Sequence, residues 1–476
     1  VSAQTTSGSR RRAGADLHLD LAVTGGRGVR AALTDALRDA VRTGRLAAGT
    51  ALPSSRGLAG DLGLARATVV DAYTELTAEG WLTARQGAPT RVAAAVPTAQ
   101  APARPPFGRR GPAVVHDLRP GRPDASMFPR AAWWQAVRRA VATAPDAAFD
   151  YGDPAGHPQL RVALASYLAR VRGVRASPDQ VVVTPGATEG LRLLAGVLTE
   201  RTGAGVAVEE VGLHAHRRML DAIGPPTVPL ALDEAGARTT DLPGMTTATG
   251  TRAVLLTPAH QFPTGIPLRP ARRTAAVAWA RDADGIVVED DYDGEFRYDR
   301  RPVGAVQGLA PDRVAYLGTA SKALAPGLRL GWMVLPGELA RAVAARAAGG
   351  VGIVDQLALA DLLDSGGYDR QVRTTRRHYR RRREELAALL AVRAPELRVV
   401  GHPAGLHALV ELPEGAEAGV LEEARQRGIA LEGLGAFRHP RVSTRRDGVV
   451  VGFAASSTSA WSGALAALGG LLETLG

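Results

Sequence analysis

The chain has 476 residues, 45% of them hydrophobic, with 58 basic against 47 acidic side chains, a formal charge of +11 and a pI near 10.7. The absence of cysteine excludes disulfides and thiolate metal sites, and the ten histidines show no HExxH-like spacing, so no metal is expected. No uninterrupted apolar run of about 18 residues occurs and the start has no apolar h-region, which predicts a soluble, cytoplasmic protein of two or three domains without membrane contact.

In chain order, residues 1–15 read as a flexible basic tail, and residues 16–92 as a first domain with helical patterns over 29–43, 54–61 and 66–78. Leu58 and Leu62 stand at i, i+4, while Val69, Tyr73 and Leu76 give the third pattern one apolar stripe. Gly63 and Gly80 close the second and third helices. Next, "WLTARQGAPTRVAA" sets two short alternating runs around Gln86-Gly87-Ala88-Pro89, a β-hairpin signal. Three small helices and a hairpin predict a winged helix-turn-helix, whose third helix would offer Arg66 and Thr68 to a DNA major groove. The run "GRLAAGTALPSSRGLAGDLGLARATVVDAYTELTAEGWL", followed by "RQGAPTRV", resembles the GntR family of bacterial regulators. That resemblance implies operator double-stranded DNA as a partner, contacted by Arg56, Arg66, Thr68 and Gly87. Ala65 departs from the family, which carries a serine or threonine cap there.

Residues 93–116, rich in alanine, proline and glycine, predict a linker, and 117–476 a second domain. There, "QVVVTPGATEGLRLLAGVL", "GVAVEEVG", "AVLLTPAHQFPTG", "GIVVEDDYDGEF" and "RVAYLGTASKALAPGLRLGWMVLP" each pair a short apolar run with a polar turn. Buried strands alternating with helices predict an α/β domain on an open, mostly parallel sheet, with ligands outside the carboxyl ends of its strands. The sheet domain is expected over about 165–340 and a smaller domain mainly over 341–476.

Lys322 is the single lysine among 57 arginines. An amine that attacks a carbonyl cannot be replaced by a guanidinium, which stays protonated, so Lys322 is a candidate Schiff-base lysine. Thr319 and Ser321 add hydroxyls beside it, and Arg329 a phosphate-pairing fork. Gly186, Ala187 and Thr188 open a helix at a place suited to an anion. Asp290 and Tyr292 end the "GIVVEDDY" strand as an acid for a pyridinium nitrogen and a phenol for a ring oxygen. Together these match pyridoxal 5'-phosphate.

The constellation resembles the fold-type I aminotransferases over nearly the whole second domain, and a GntR-type winged helix joined to such a domain resembles the MocR subfamily of regulators. "YGDPAGHPQLR", "HQFPTG" and "EDDYDGEFRY" carry the likeness further. It implies a homodimer in which Tyr151 reaches the neighbouring subunit's cofactor phosphate, Gln261 in place of the aminotransferase turn asparagine, and a small amine or amino-acid effector. Two departures stand out. Leu213 occupies the position of the aromatic residue that stacks on the cofactor ring, with His214 beside it as a substitute, and the late strand "GVVVGFAASS" has Val450 or Val451 where transaminases place a carboxylate-binding arginine. Arg441, Arg445 and Arg446 are only nearby, which argues against turnover, and no catalytic residue is assigned. Two other readings stay open at this level: a cofactor-free regulator that dimerises through a degenerate domain, and a working aminotransferase with an added DNA-binding module.

Three further features have plainer expectations. "RQVRTTRRHYRRRREELAALL" predicts a helix with an arginine-rich exposed face, Trp133 and Trp134 predict packing residues, and Glu289 and Asp291 are expected to point away from Asp290 because neighbouring strand residues face opposite sides.

Overall fold

The structure, a computed structural model, describes residues 28–85, 87–94, 114–298, 303–347, 350–443 and 446–473. The expected basic tail, most of the 93–116 linker, Gln86 and Arg445 lie outside the described residues. Two compact units partition the chain, Val1–Gly111 and Pro112–Gly476.

The first unit contains α1 (Val29–Arg42), α2 (Ser55–Leu62) and α3 (Arg66–Ala78), then β1 (Leu82–Thr83) paired antiparallel with β2 (Arg91–Val92). Leu33, Leu37, Leu58, Val69, Leu76 and Leu82 fill its core. The start of α2 is fixed by Ser54, whose hydroxyl accepts the Gly57 N–H at 3.1 Å, and its end by Gly63 at φ 66°, a left-handed conformation that favours glycine. By contrast, α3 begins at Ala65 with no side-chain cap. Ala65→Ser is therefore expected to stabilise α3 by about 1 kcal/mol, read as slower amide exchange in that helix.

The second unit is built on a seven-stranded sheet. Its strands in chain order are β3 (Val181–Thr184), β4 (Val206–Glu209), β5 (Val228–Leu230), β6 (Ala253–Leu256), β7 (Ile286–Asp290), β8 (Val314–Thr319) and β9 (Gly331–Val334). The spatial order is β3-β9-β8-β7-β6-β4-β5, parallel from β8 to β5 and antiparallel where β9 enters between β8 and β3. Helices cover both faces, so the strands read as continuous apolar runs. Val288 and Leu255 pack with Leu191 and Leu194 of α6 (Ala187–Thr202), whereas Val287 and Val254 pack with Ala276 and Val277 of α8 (Pro270–Asp282). The same alternation sends Glu289 to the backbone N–H groups of Val306 and Gln307, while Asp291 pairs with buried Arg172 of α5 (Pro158–Arg172) at 2.6 Å. Both point away from Asp290, as their strand positions require.

A smaller antiparallel sheet follows, from β10 (Val399–Val400), β11 (His407–Glu411), β12 (Glu432–Gly433) and β13 (Gly448–Gly452), in the order β10-β11-β13-β12. The 27-residue helix α9 (Gly367–Arg393) corrects one expectation. Arg382, in the middle of its arginine run, is fully buried, pairing with Asp124 at 3.0 Å and donating to the Ser456 carbonyl at 2.8 Å. A guanidinium with five donors tolerates this because carboxylate and carbonyls surround it. A second correction concerns the tryptophan pair on α4 (Arg130–Thr143): Trp133 packs against Phe128 at 5.9 Å between ring centroids, but Trp134 is 63% exposed, since adjacent helix positions point about 100° apart.

Candidate functional site

At the carboxyl ends of β7 and β8 lies a cavity of about 710 Å³. Lys322, Asp290, Tyr292, Thr319, Ser321, Arg329, Gly186, Ala187, Thr188 and Leu213 all contribute to its wall, although they come from segments scattered over more than a hundred residues. The sheet brings them together because parallel strands end on the same edge.

One side is an anion cradle. Gly186, at φ 87°, caps α6, so the unpaired N–H groups of its first turn face the cavity. A Cβ on Gly186 would lie 3.0 Å from the Arg329 guanidinium and would push that fork back, and the positive φ independently favours glycine. Arg329 is held there by donating to the Pro185 carbonyl at 2.7 Å. Thr319 Oγ1 stands 2.9 Å from Ser321 Oγ and accepts the Ser321 N–H at 3.1 Å, which fixes both hydroxyls beside the same turn.

Lys322, next in the chain after Ser321, also lines the cavity, its Nζ donating to the Gly121 carbonyl at 2.6 Å. Burial pushes its ammonium below the ordinary lysine range, against the opposing pull of Asp293 and Asp290. Asp290 is buried and pushed up to about 7 by desolvation, with Lys322 acting the other way. Its Oδ1 has no hydrogen-bond partner, and its Oδ2 lies 3.7 Å from His216 Nδ1. Tyr292 is seated by its hydroxyl, 3.1 Å from the His260 carbonyl and 3.2 Å from His260 Nδ1, while Asp293 holds that same ring nitrogen at 2.8 Å.

His216 was not legible from sequence. It sits on α7 (His214–Ile223), one turn beyond Leu213, with Nε2 3.2 Å from Thr188 Oγ1, so it bridges the cradle and Asp290. Burial pushes its imidazole down to about 4, and it is neutral at neutral pH. The three-residue step from Leu213 on a helix is the signal that could have found it. Leu213 itself is 39% exposed at the cavity wall, and the His214 ring lies 6.1 Å from that of Phe437.

One residue expected at the cavity lies elsewhere. Gln261 does not reach the cavity: its amide donates to the Val211 and Phe262 carbonyls at 2.8 and 2.6 Å, and its carbonyl oxygen accepts from Thr264. Phe262 is the turn residue that lines the cavity. Tyr151, expected at the neighbouring subunit's site, is fully exposed in the protomer and stands outside that protomer's own cavity. On β13, Val450 and Val451 are fully buried and also outside it.

In the first unit, Arg56 on α2, Arg66 at the start of α3 and Gly87 in the hairpin turn are exposed, and Thr68 is half-buried. Neither arginine has a carboxylate partner among the described residues.

The donor set fits pyridoxal phosphate. It offers an unpaired buried carboxylate oxygen, one primary amine, and a glycine turn that a guanidinium caps and a Cβ would fill.

Comparison with known proteins gives the following. Residues 30–92 match the family described as bacterial regulatory proteins, gntR family, and residues 121–445 match aminotransferase class I and II. The HTH-type pyridoxine biosynthesis transcriptional regulator PdxR of Corynebacterium glutamicum is 36% identical over 384 residues, 79% of this chain and 82% of that protein. The probable rhizopine catabolism regulatory protein MocR of Rhizobium meliloti is 32% identical over 447 residues, 89% of each. Among solved structures, a kynurenine aminotransferase of Pyrococcus horikoshii in complex with PMP aligns with a TM-score of 0.68 and 25% identity, over 76% of this chain and 92% of that one. No helix among the described residues is long and apolar enough to cross a membrane.

Proposed function

The chain belongs to the MocR-type regulators, GntR-type helix-turn-helix transcriptional regulators with an aminotransferase class I/II domain, and from that premise we propose that pyridoxal 5'-phosphate held at Lys322 controls its operator binding. The observation that carries this is the pairing of a half-buried primary amine with a buried, unpartnered Asp290 oxygen in one cavity. The Asp290 oxygen is the unsatisfied group of the two, and leaving such a group buried costs about 1–3 kcal/mol, which a ligand donor would offset.

When bound, pyridoxal phosphate supplies an aldehyde that condenses reversibly with primary amines. Lys322 would hold it, Asp290 would accept from its ring nitrogen, and Tyr292 would face its ring oxygen. Gly186, Ala187, Thr188, Thr319, Ser321 and Arg329 would hold the phosphate, and Leu213 would cover the ring. The full exposure of Tyr151 supports a homodimer in which it completes the partner's phosphate site. Two winged helices, one per protomer, then match paired half-sites on operator DNA, with Arg56, Arg66, Thr68 and Gly87 at the interface. A small amine or amino acid that binds two arrangements of the dimer unequally shifts operator occupancy in the cytoplasm. Apolar Val450 and Val451 on β13 support signalling rather than turnover.

Titrating the purified full chain with pyridoxal phosphate, while following visible absorbance and operator mobility shifts, tests the proposal. A stoichiometric chromophore with altered DNA affinity is expected. An unchanged spectrum at saturating cofactor rejects it and leaves the second domain a dimerisation module.

Leu213→Tyr is a narrower test. The residue's φ of −63° and ψ of 106° suit any L-residue, and its exposure leaves room for a ring. Adding a π face is expected to tighten cofactor binding by about 0.5–1.5 kcal/mol, a few-fold to tenfold in Kd by absorbance titration.

A further inference from the structure

The arginine run on α9 carries a feature that the cofactor site does not use. Arg373, Arg376, Arg377 and Arg380 stand at i, i+3, i+4 and i+7, on one helix face, and with Arg297 and Tyr298 they line a groove of about 370 Å³. Among the described residues no acidic side chain lines it.

Like charges three and four residues apart repel, by about 0.2–0.5 kcal/mol per pair on an isolated helix. The same helix relieves this at the end of the groove and beyond it, where Arg380 and Arg381 meet Glu384 and Glu385 four residues on, at 3.5 and 3.6 Å. For Arg373 the residue four positions on is Arg377, and for Arg377 it is Arg381. Neither Arg373 nor Arg377 has a carboxylate partner among the described residues, and both are exposed. Arg376 is anchored by donating through Nε to the Glu295 carbonyl at 2.8 Å, which leaves its outer nitrogens facing the groove. Arg380 shares its charge with Glu384, but Arg373 and Arg377 bring theirs to a concave surface with no carboxylate partner among the described residues.

We propose that this groove binds phosphate groups, and that its occupant is the phosphodiester backbone of DNA flanking the site held by the first unit. The inference rests on the reading of the chain as a DNA-binding regulator. Guanidiniums pair with phosphate oxygens through planar forks, and the four helix arginines span about 10 Å of helix axis, a length over which duplex DNA presents several phosphates. One chain carries both units, so DNA held by the first is offered to the second at raised effective concentration wherever the connecting segment spans the distance. The net charge of +11 favours the same encounter.

The test is the salt dependence of DNA binding by the full chain, on a 12-bp and a 40-bp duplex, measured by fluorescence anisotropy. The triple variant Arg373→Gln/Arg377→Gln/Arg380→Gln is expected to reduce the slope of log K against log salt by about 2.7 per groove engaged on the long duplex, and to leave the short-duplex slope unchanged. The corresponding triple lysine variant, which keeps the charges, is expected to restore most of the slope. Equal slopes for wild type and glutamine variant on the long duplex overturn the inference while leaving the winged-helix reading intact. Calorimetric binding of inorganic pyrophosphate that the glutamine variant loses, with DNA slopes unchanged, assigns the groove to a small phosphorylated ligand and rejects DNA as its occupant. Failure of the wild type to bind either duplex removes the DNA-binding reading and this inference together.

Discussion

Lys322→Ala is expected to eliminate both the visible chromophore of the cofactor-loaded chain and the cofactor's effect on DNA affinity. The chain has no other side-chain amine, so no neighbour can substitute, and a reducible covalent adduct must map to residue 322. Lys322→Arg sharpens the test, because it keeps a positive charge near Asp290 and Asp293 but provides no nucleophile. Both variants are expected to lose the borohydride-stabilised adduct in mass spectra of proteolytic fragments. Folding is expected to survive, since the alanine variant gives up one hydrogen bond to the Gly121 carbonyl, worth on the order of 1–3 kcal/mol. Retention of an adduct by either variant, or of cofactor-dependent DNA binding by both, would remove Lys322 from its assigned place.

Much of this site was readable because its chemistry demands particular side chains at strand ends. A lone amine in an arginine-rich chain, an acid closing an apolar run, and a glycine opening a helix each carry a reason in the residue itself. What escaped depends on three-dimensional neighbours. The hydrogen-bond partner of Lys322 is the backbone carbonyl of Gly121, a group every residue has, 201 positions away. His216 lies in "HAHRR", which reads as a polar helix start until α7 places it between Thr188 and Asp290. In "HQFPTG", the turn was evident, but the side chain entering the cavity is Phe262, because the Gln261 amide is consumed by the loop's own carbonyls. Arg382 reads as one more solvated arginine, and only Asp124, 258 positions away, explains its burial. The fold was legible for a related reason. Apolar runs such as "VVVT" and "IVVED" announce strands covered on both faces, whereas the antiparallel insertion of β9 between β8 and β3 is a pairing that no local pattern encodes.

Asp290→Asn is expected to change apo stability and cofactor affinity in opposite directions. In the chain without cofactor, Asp290 is buried, has an unpartnered oxygen and is pushed up to about 7 from an ordinary 3.8, chiefly by burial. Between those values the folded chain holds a proton that the unfolded chain has lost, so this group's contribution to stability falls as pH rises through that window and is at its least favourable above it. Asparagine does not titrate, and its advantage over aspartate is expected to grow from about pH 4 to about pH 7 and then level off, read as a rising difference in urea midpoint. With cofactor bound the order reverses. A carboxylate facing a protonated ring nitrogen forms a buried ion pair, and removing one partner of such a pair costs about 3–5 kcal/mol, more than a hundredfold in Kd. A residue retained for packing would show neither effect. If Asp290→Asn destabilises the apo chain above about pH 7, or binds cofactor as well as the wild type does, the carboxylate is structural and its pairing with the ring nitrogen is wrong. The unfavourable charge in the empty site and the favourable one in the filled site arise from the same burial, which makes the cofactor's contribution to stability a direct measure of how well the cavity fits it.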